Sequence, residues 1–262
     1  MDVSLKMYVI VCPLVFLAGF VDSVAGGGGI IAIPAYLLAG LPAHLAAGTN
    51  KVVSGSGAIF SSVKYIRSGR VRLRNAVFAA IGAIAGSAVG TALAAMLPEA
   101  ALKMLLLLAL PAAALFLVFR RDFGVEERAK APVNRSQQFS DIISAGIGLL
   151  LGCYDGLIGP GTGTFMIMCF TAFLSMDLVT AAGCSRLANL ASNLAAAAVW
   201  IVSGQVLWTL ALPAAVCSIA GNRCGARFAL RGGSKRVRGM MFVVLALLFI
   251  KVLYDLHLAR VF

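Results

Sequence analysis

The stretch Asp22-Ser-Val-Ala-Gly-Gly-Gly-Gly29 interrupts an apolar sequence and is followed by Gly48-Thr-Asn-Lys51. A second copy of this pattern begins 133 residues later, where Asp155-Gly-Leu-Ile-Gly-Pro-Gly-Thr-Gly163 is followed by Gly183-Cys-Ser-Arg186. Each copy contains an acid, a glycine-rich break and an isolated cation. In a membrane protein, a duplicated pattern of this kind predicts two halves of one substrate pathway.

The composition indicates an integral membrane protein. Of the 262 residues, 61% are hydrophobic and 12% are charged, whereas a soluble domain has roughly 45–50% apolar and about 25% charged residues. Apolar runs at 75–97, 100–119, 188–202 and 237–254 approach the roughly 17–25 residues that cross a bilayer. The net charge of +12 comes from basic residues in short loops. Membrane topology explains this charge better than nucleic-acid binding does.

The internal repeat extends beyond the two motifs. After a two-residue insertion in the second half, an offset of 135 aligns Lys51 with Arg186, Gly69 with Gly204, Gly86 with Gly221, and Gly90 with Gly225. An alignment held at one offset over about forty residues indicates duplication. We therefore predict a first membrane repeat at 1–120, a cytoplasmic linker at 121–140 and a second membrane repeat at 141–262.

Each half is predicted to contain five helical segments. They lie at 7–24, 30–40, 43–66, 76–96 and 101–119, and at 141–157, 164–175, 178–202, 207–228 and 237–256. The second segment of each half is too short to cross the roughly 30 Å hydrocarbon layer at about 1.5 Å per residue. It predicts a short broken or re-entrant helix at the glycines, and a tilted or interrupted span is the alternative.

Loop charges predict that the two halves have opposite orientations. The loop after the third segment carries Lys64, Arg67, Arg70, Arg72 and Arg74, and its counterpart at 202–207 carries no charge. After the fourth segment the bias reverses. The loop at 98–102 carries one acid and no basic residue, whereas its counterpart carries Arg231, Lys235, Arg236 and Arg238. The positive-inside rule then places corresponding loops on opposite sides of the membrane, with both termini outside the cytoplasm. The predicted fold class is an all-α polytopic membrane protein, in a bacterial inner membrane, with two inverted-topology repeats.

Four charged residues lie within or at the end of apolar segments. Asp22 and Asp155 each end an apolar helix beside glycines, and Lys51 and Arg186 are isolated cations. A charge at the bilayer centre costs roughly 2.5–3.5 kcal/mol on insertion scales, so a partner or a wet cavity is expected. We interpret the cations as substrate-binding residues and the acids as counter-ions or proton carriers. The alternative is a pair of structural salt bridges, Asp22 with Lys51 and Asp155 with Arg186.

The glycine breaks predict an anion-attracting cavity. They free backbone N–H groups, and the short helix after each break directs its positive dipole end toward the loop. The further candidate substrate-binding residues are Gly27, Gly28, Gly29, Thr49, Asn50, Gly161, Thr162, Gly163, Ser185 and Asn189. Close helix packing is the alternative for glycines in membranes. It explains Gly82, Gly86, Gly90, Gly221 and Gly225 better than a site does.

The sequence offers little for catalysis or metal binding. His44 and His257 are the only histidines, and neither belongs to an HExxH pattern. The sequence has no GxSxG elbow and no CxxC pair. We therefore predict no catalytic residue, no metal and no cofactor, and we interpret His44 as an interfacial residue at an outer turn.

These motifs resemble the sulfite exporter TauE/SafE family of membrane transporters, also called TSUP. The resemblance rests on Gly19-Phe-Val-Asp22 with the four glycines, on Gly48-Thr-Asn-Lys51 with Ser54 and Gly55, and on the second copy. The second copy departs from the motif, with Gly-Pro-Gly-Thr-Gly in place of four glycines and Cys-Ser-Arg in place of Thr-Asn-Lys. The resemblance covers nearly the whole chain. It implies a permease for a small anion such as sulfite, an organosulfonate or a related sulfur-containing compound.

The resulting hypothesis is a secondary transporter with alternating access around a central anion site. Lys51 and Arg186 neutralise the substrate, and glycine amides with nearby hydroxyls orient it. The chain has no ATPase motif, so the energy comes from a coupled proton or other ion, or from the substrate's own gradient. The expected partners are the anion and the lipid bilayer, and no nucleic acid. A passive anion channel is the main alternative, followed by an intramembrane enzyme or a scaffold.

Overall fold

The computed structural model describes residues 4–105 and 136–258, with side chains described as far as residue 244. Within these ranges the chain is helical and contains no strand, so the predicted all-α class is confirmed there. A further helical stretch occupies 99–105, and the rest of the predicted segment 101–119 lies outside the described residues. The helices are α1 (Leu5–Ala25), α2 (Gly29–Leu38), α3 (Ala43–Arg67), α4 (Leu73–Met96), α5 (Gln137–Leu157), α6 (Thr162–Leu174), α7 (Leu178–Val202) and α8 (Trp208–Leu258).

Helix lengths follow the internal repeat. Helices α3 and α7 both have 25 residues, and their first and last residues lie 135 positions apart. Helices α1 and α5 both have 21 residues, whereas α2 has 10 and α6 has 13. At about 1.5 Å per residue the two short helices measure about 15–20 Å, well below the bilayer thickness. Among the described residues, α1 and α4 are long and apolar enough to cross a membrane.

Helix α8 contains the two segments predicted at 207–228 and 237–256. Its 51 residues divide into two helical stretches at Gly233, which has non-helical dihedrals of φ 61° and ψ −161°. Because glycine adopts a positive φ without a steric penalty, the chain turns at this residue, and the prediction of two helical segments is confirmed.

The two halves are interleaved. Helix α4 packs along α5, and α1 packs along α8, so the first helix of each half lies against the fourth helix of the other. Glycines permit these close approaches: a Cβ on Gly86 would lie 2.0 Å from the Leu149 carbonyl oxygen, and one on Gly221 would lie 2.1 Å from that of Phe16. The helix-packing interpretation of these glycines is therefore confirmed.

Helices α3 and α7 are antiparallel, because the start of each lies beside the chain that follows the end of the other. A Cβ on Gly48 would meet the Gln205 carbonyl oxygen at 2.0 Å, and one on Gly183 would meet that of Arg70 at 2.2 Å. Gly48 and Gly183 are equivalent under the 135-residue offset, as are Arg70 and Gln205. Reciprocal contacts of this kind are typical of elements related by a two-fold axis.

The basic loops gather at one end of the helix bundle. The Lys64 ammonium donates to the Arg223 carbonyl oxygen at 2.9 Å. The Arg74 guanidinium pairs with Asp141 at 2.7 Å, near the start of α5. At the other end, the Tyr8 hydroxyl of α1 donates to the Thr209 carbonyl oxygen of α8. The contacts thus bring the basic segments of both halves to a common end of the bundle.

Candidate functional site

The two glycine loops pack against each other. Gly26 ends α1 with a φ of 77°, and a Cβ there would lie 2.2 Å from the carbonyl carbon of Gly163. The Thr164 hydroxyl donates to the Ala25 carbonyl oxygen at 2.7 Å, which joins the start of α6 to the end of α1. Gly29, the first residue of α2, faces Pro160 of the other loop. Only glycines allow the two backbones to approach this closely, so this contact requires the glycines of both loops.

Two ion pairs cross between the halves beside this contact. Lys51 Nζ lies 2.7 Å from Asp155 Oδ2 and 2.6 Å from the Asp155 carbonyl oxygen. Arg186 Nη1 lies 2.6 Å from Asp22 Oδ2. The alternative salt bridges proposed from the sequence, Asp22 with Lys51 and Asp155 with Arg186, are therefore wrong. Because the loops pack against each other, each acid lies beside the cation of the opposite repeat.

Both ion pairs are buried and hydrogen-bonded further. The side chains of Lys51, Asp155 and Arg186 are 7%, 3% and 2% exposed, and that of Asp22 is 13% exposed. The Ser192 hydroxyl donates to Asp155 Oδ2 at 2.5 Å. Buried ions are expensive unless paired and hydrogen-bonded, and these four charges cancel.

Amide groups form further hydrogen bonds with the Arg186–Asp22 pair. Arg186 Nη2 donates to Asn189 Oδ1 at 2.8 Å, and Nη1 also donates to Asn222 Oδ1 at 3.4 Å. The Gly28 N–H donates to Asp22 Oδ1 at 3.2 Å. Helices α7 and α8 and the first glycine loop thus fix the orientation of one guanidinium–carboxylate pair.

A small polar cavity lies between the ion pairs. Its volume is about 20 Å³, which is enough for one or two ordered waters. A second cavity of about 10 Å³ adjoins it, and Asp22 and Ser54 line both. The larger cavity is lined by Asp22, Gly26, Gly29, Asn50, Lys51, Ser54, Asp155, Gly159, Asn189 and Asn193.

Six of the residues predicted from the sequence line this larger cavity: Asp22, Gly29, Asn50, Lys51, Asp155 and Asn189. Arg186 lies behind Asn189, to which it donates. Gly28 lines the second cavity, and Gly27 packs against Val244 of α8.

The remaining predicted residues form contacts with the backbone. The Thr49 hydroxyl accepts from the Leu207 N–H at 3.1 Å, and the Thr162 hydroxyl donates to the Gly159 carbonyl oxygen at 2.8 Å. The Ser185 hydroxyl donates to the Gly163 carbonyl oxygen at 3.0 Å. Gly161 precedes α6 with a φ of 83°. In this conformation these residues hold the loops and helix ends in place.

Comparison with known proteins identifies the family. Residues 11–252 match the family described as Sulfite exporter TauE/SafE. The chain belongs to this family. The resemblance inferred from the glycine motifs is therefore confirmed.

Relatives of similar length carry transporter names. A "Probable membrane transporter protein" of Haemophilus influenzae is 34% identical, over 97% of this chain and 98% of its own length. The "Probable membrane transporter protein ORF9" of Sinorhizobium sp is 32% identical, over 97% and 95%. The "Probable membrane transporter protein YfcA" of Escherichia coli K12 is 30% identical, over 92% and 87%. No solved structure matches the chain. The protein is thus a helical membrane transporter of the TauE/SafE family, and membership of this family implies that it is not an enzyme.

Four polar residues at the transporter's ion pairs were absent from the predicted site: Ser54, Ser192, Asn193 and Asn222. The Asn193 amide donates to Asn189 Oδ1 at 2.9 Å, so it extends the arginine's network. On α7, Asn189 and Asn193 follow Arg186 by three and seven residues, which places all three on one helix face. A polar stripe at this spacing inside an apolar helix is the sequence signal that could have identified them.

His44 lies at the end of the bundle opposite the basic loops, where it hydrogen-bonds to Glu99. Glu99 also accepts from the backbone N–H groups of Ala43 and His44, so it caps α3 from the turn after α4. Partial burial raises the pKa of the Glu99 carboxyl, but these hydrogen bonds prevail and lower it below its ordinary value. His44 therefore belongs to a helix cap at this end.

Proposed function

We propose that the protein carries a small sulfur-containing oxyanion, such as sulfite or an organosulfonate, by alternating access around the two crossed ion pairs. The observation that supports this most directly is the placement of Lys51 and Arg186 in one buried polar region, each neutralised by an acid of the other half. An anion can replace either carboxylate on its cation. The family description "Sulfite exporter" supports the sulfur oxyanion as substrate.

Charge balance couples the anion to a proton. The two cations and two carboxylates already cancel, so an entering anion leaves the region with excess negative charge. An uncompensated buried charge costs several kcal/mol. Protonation of the displaced carboxylate restores neutrality, and the anion then crosses with a proton. Asp22 is the first candidate for this role, because it is the more exposed acid and borders both cavities.

The arginine supplies the geometry for an oxyanion. A guanidinium presents parallel N–H donors that match two oxygens of a planar or pyramidal oxyanion, whereas an ammonium acts as a point charge. Asn189 and Asn222 accept from two guanidinium nitrogens of Arg186, which keeps this fork oriented when Asp22 leaves.

Inverted repeats provide a route to alternating access. The antiparallel arrangement of α3 and α7 and their reciprocal contacts support halves of opposite orientation in the membrane. In such a pair, a motion that opens one loop to one side has an equivalent that opens the other loop to the opposite side. We propose an inner-membrane location with both termini outside the cytoplasm, from the clustering of basic loops at one end.

Flux in proteoliposomes tests the proposal. The charge-balanced variants Lys51→Met/Asp155→Asn and Arg186→Met/Asp22→Asn each remove one acid with its cation, so the buried region stays neutral. Both are expected to fold and to lose uptake of radiolabelled sulfite. Lys6→Met, which removes an exposed cation near the start of α1, should transport like the wild type.

The remaining controls separate the mechanisms. Unlabelled sulfite on the opposite side of the membrane accelerates the flux of labelled sulfite through a carrier, whereas it does not accelerate flux through a channel. Proton coupling predicts that an imposed pH gradient drives uptake and that Asp22→Asn removes this dependence. Wild-type flux in both charge-balanced variants, with correct insertion, would remove the basis for this site.

A further inference from the structure

Three exposed arginines and one half-buried lysine lie together between α3 and α8. Arg223, Arg227 and Arg231 follow one another at four-residue spacing on α8 and are all exposed, so they lie along one helix face. Lys64 of α3 donates to the Arg223 carbonyl oxygen, and its ammonium experiences the positive charge of all three arginines. We call these four residues the cationic patch.

The cationic patch has no acidic partner among the described residues. Among the described residues, ion pairs join Lys51 to Asp155, Arg74 to Asp141 and Arg186 to Asp22, and Glu99 hydrogen-bonds to His44. Like charges at this spacing repel one another. An anion bound beside these side chains would relieve this repulsion.

The internal repeat shows that the fold does not require these charges. The positions equivalent to Arg223, Arg227 and Arg231 under the 135-residue offset are Ala88, Ala92 and Met96 of α4. Helix α4 packs against its neighbours without cations on this face. The arginines are therefore specific to the second half, and they extend about 12 Å along the helix.

The same helix face becomes apolar toward the other end of the bundle. Leu212 and Val216 precede Arg223 by 11 and 7 residues, and they are 64% and 67% exposed. On the neighbouring helix α3, Phe60 and Val63 are 43% and 41% exposed. The surface thus passes from large apolar side chains to cations along one direction. This order matches the acyl chains and the phosphate of a lipid.

We propose that the cationic patch binds the headgroup of an anionic phospholipid, with the acyl chains lying along the apolar surface of α3 and α8. Arginine binds phosphate oxygens through parallel N–H donors, and long basic side chains reach toward the headgroup layer from within the bilayer. Basic surfaces between membrane helices are typical headgroup sites. A free anion would use only the charges, so the adjoining apolar surface favours the lipid.

Lipid titration of the full-length protein in nonionic detergent tests this proposal. The probe is phosphatidylglycerol at increasing mole fraction in the mixed micelle, and the readout is the rise in thermal unfolding midpoint. Phosphatidylcholine provides a zwitterionic lipid control, and inorganic phosphate provides a free-anion control. The test variant Arg227→Gln/Arg231→Gln is matched by Lys6→Gln/Lys103→Gln, which removes two exposed cations located elsewhere.

Phosphatidylglycerol is expected to stabilise the wild type and the matched control at similar mole fractions. The test variant should need a mole fraction of phosphatidylglycerol on the order of 25-fold higher, because each basic residue near an anionic surface contributes roughly a fivefold factor in affinity. Arg227→Lys/Arg231→Lys, which keeps both charges, should respond to phosphatidylglycerol much as the wild type does. Added salt should weaken the stabilisation by this lipid in both proteins. Equal responses of the wild type and the test variant would refute the proposal. An equal effect of inorganic phosphate would identify a free-anion site instead.

Discussion

The two crossed ion pairs predict different responses to the loss of an acid. Asp22→Asn leaves the Arg186 guanidinium buried without its carboxylate, and Asp155→Asn does the same to the Lys51 ammonium. Both substitutions keep the shape of the side chain and a hydrogen-bonding oxygen. The variants therefore differ mainly in whether the remaining cation can become neutral. Arginine stays charged at all accessible pH values, whereas lysine can release its proton.

The magnitudes follow from this difference. Removing one partner of a buried ion pair costs about 3–5 kcal/mol. For Asp155→Asn the cost is limited by the free energy of deprotonating a lysine. For a free lysine, with a reference pKa of roughly 10.4, that is about 4 kcal/mol at pH 7.5 and about 1 kcal/mol at pH 9.5. The stability loss of Asp155→Asn should therefore shrink by about 2–3 kcal/mol over this range, and that of Asp22→Asn should not change.

Thermal unfolding in nonionic detergent at both pH values measures the difference. A chain of this size shifts by roughly 3 °C per kcal/mol. Relative to the wild type at the same pH, Asp22→Asn should unfold about 10 °C lower at pH 7.5 and at pH 9.5. Asp155→Asn should unfold about 10 °C lower at pH 7.5 and within about 4 °C at pH 9.5.

Asp177→Asn provides the matched control. Asp177 caps α7 by accepting from the N–H groups of Val179 and Thr180, and asparagine caps a helix about as well as aspartate. This variant should stay close to the wild type at both pH values. An Asp155→Asn deficit that persists at pH 9.5, or an Asp22→Asn deficit that disappears there, would contradict the reasoning.

Three further predictions concern the loops and the helix cap. Gly26→Ala should cost at least about 3 kcal/mol in thermal unfolding, because its Cβ would lie 2.2 Å from the opposite loop at a positive φ, whereas Gly146→Ala has open space and should be neutral or slightly stabilising. Thr164→Val should lower the unfolding free energy by about 1–3 kcal/mol in the same assay, because the Ala25 carbonyl oxygen loses its hydroxyl donor. Glu99→Gln should be less stable than the wild type at pH 7. Since folding lowers the pKa of Glu99, the carboxylate stabilises the fold fully above its ordinary pKa of roughly 4, and the difference should shrink below that value and disappear once the pH has fallen through the lowered pKa of the folded state.

The sequence predicted the helices best where the repeat was strongest. Helix α7 was predicted at 178–202, as the structure has it, and α3 was predicted to within one residue. The glycines on α4 and α8 were correctly assigned to helix packing, because small residues at one-turn spacing have few other uses in apolar helices. The two parts of α8 were predicted as separate segments, because Gly232 and Gly233 lie in a basic stretch typical of a loop, and the structure has the break at Gly233.

The partners of the four buried charges could not be predicted from the repeat alone. A duplication shows that Asp22 is equivalent to Asp155 and that Lys51 is equivalent to Arg186. A two-fold arrangement is compatible with pairs inside each half and with pairs across the halves. The packing of the glycine loops decides between them, and that packing depends on contacts between Gly26 and Gly163 that no local pattern encodes.

The crossed pairing also bears on how an anion would move. Lys51 and Arg186 each lie eight residues, about 12 Å, from the start of a 25-residue helix, and α3 and α7 are antiparallel with their ends beside each other. The backbone positions of Lys51 and Arg186 are therefore separated by about 12 Å along the helix axes, and their long side chains bring both ion pairs to the larger cavity, which Lys51, Asp155 and Asp22 line. Under the proposed function, the carboxylate of the opposite half must return to each cation that the anion leaves. An acid and a cation from different halves are needed for this exchange, because relative motion of the halves then breaks and re-forms the pair.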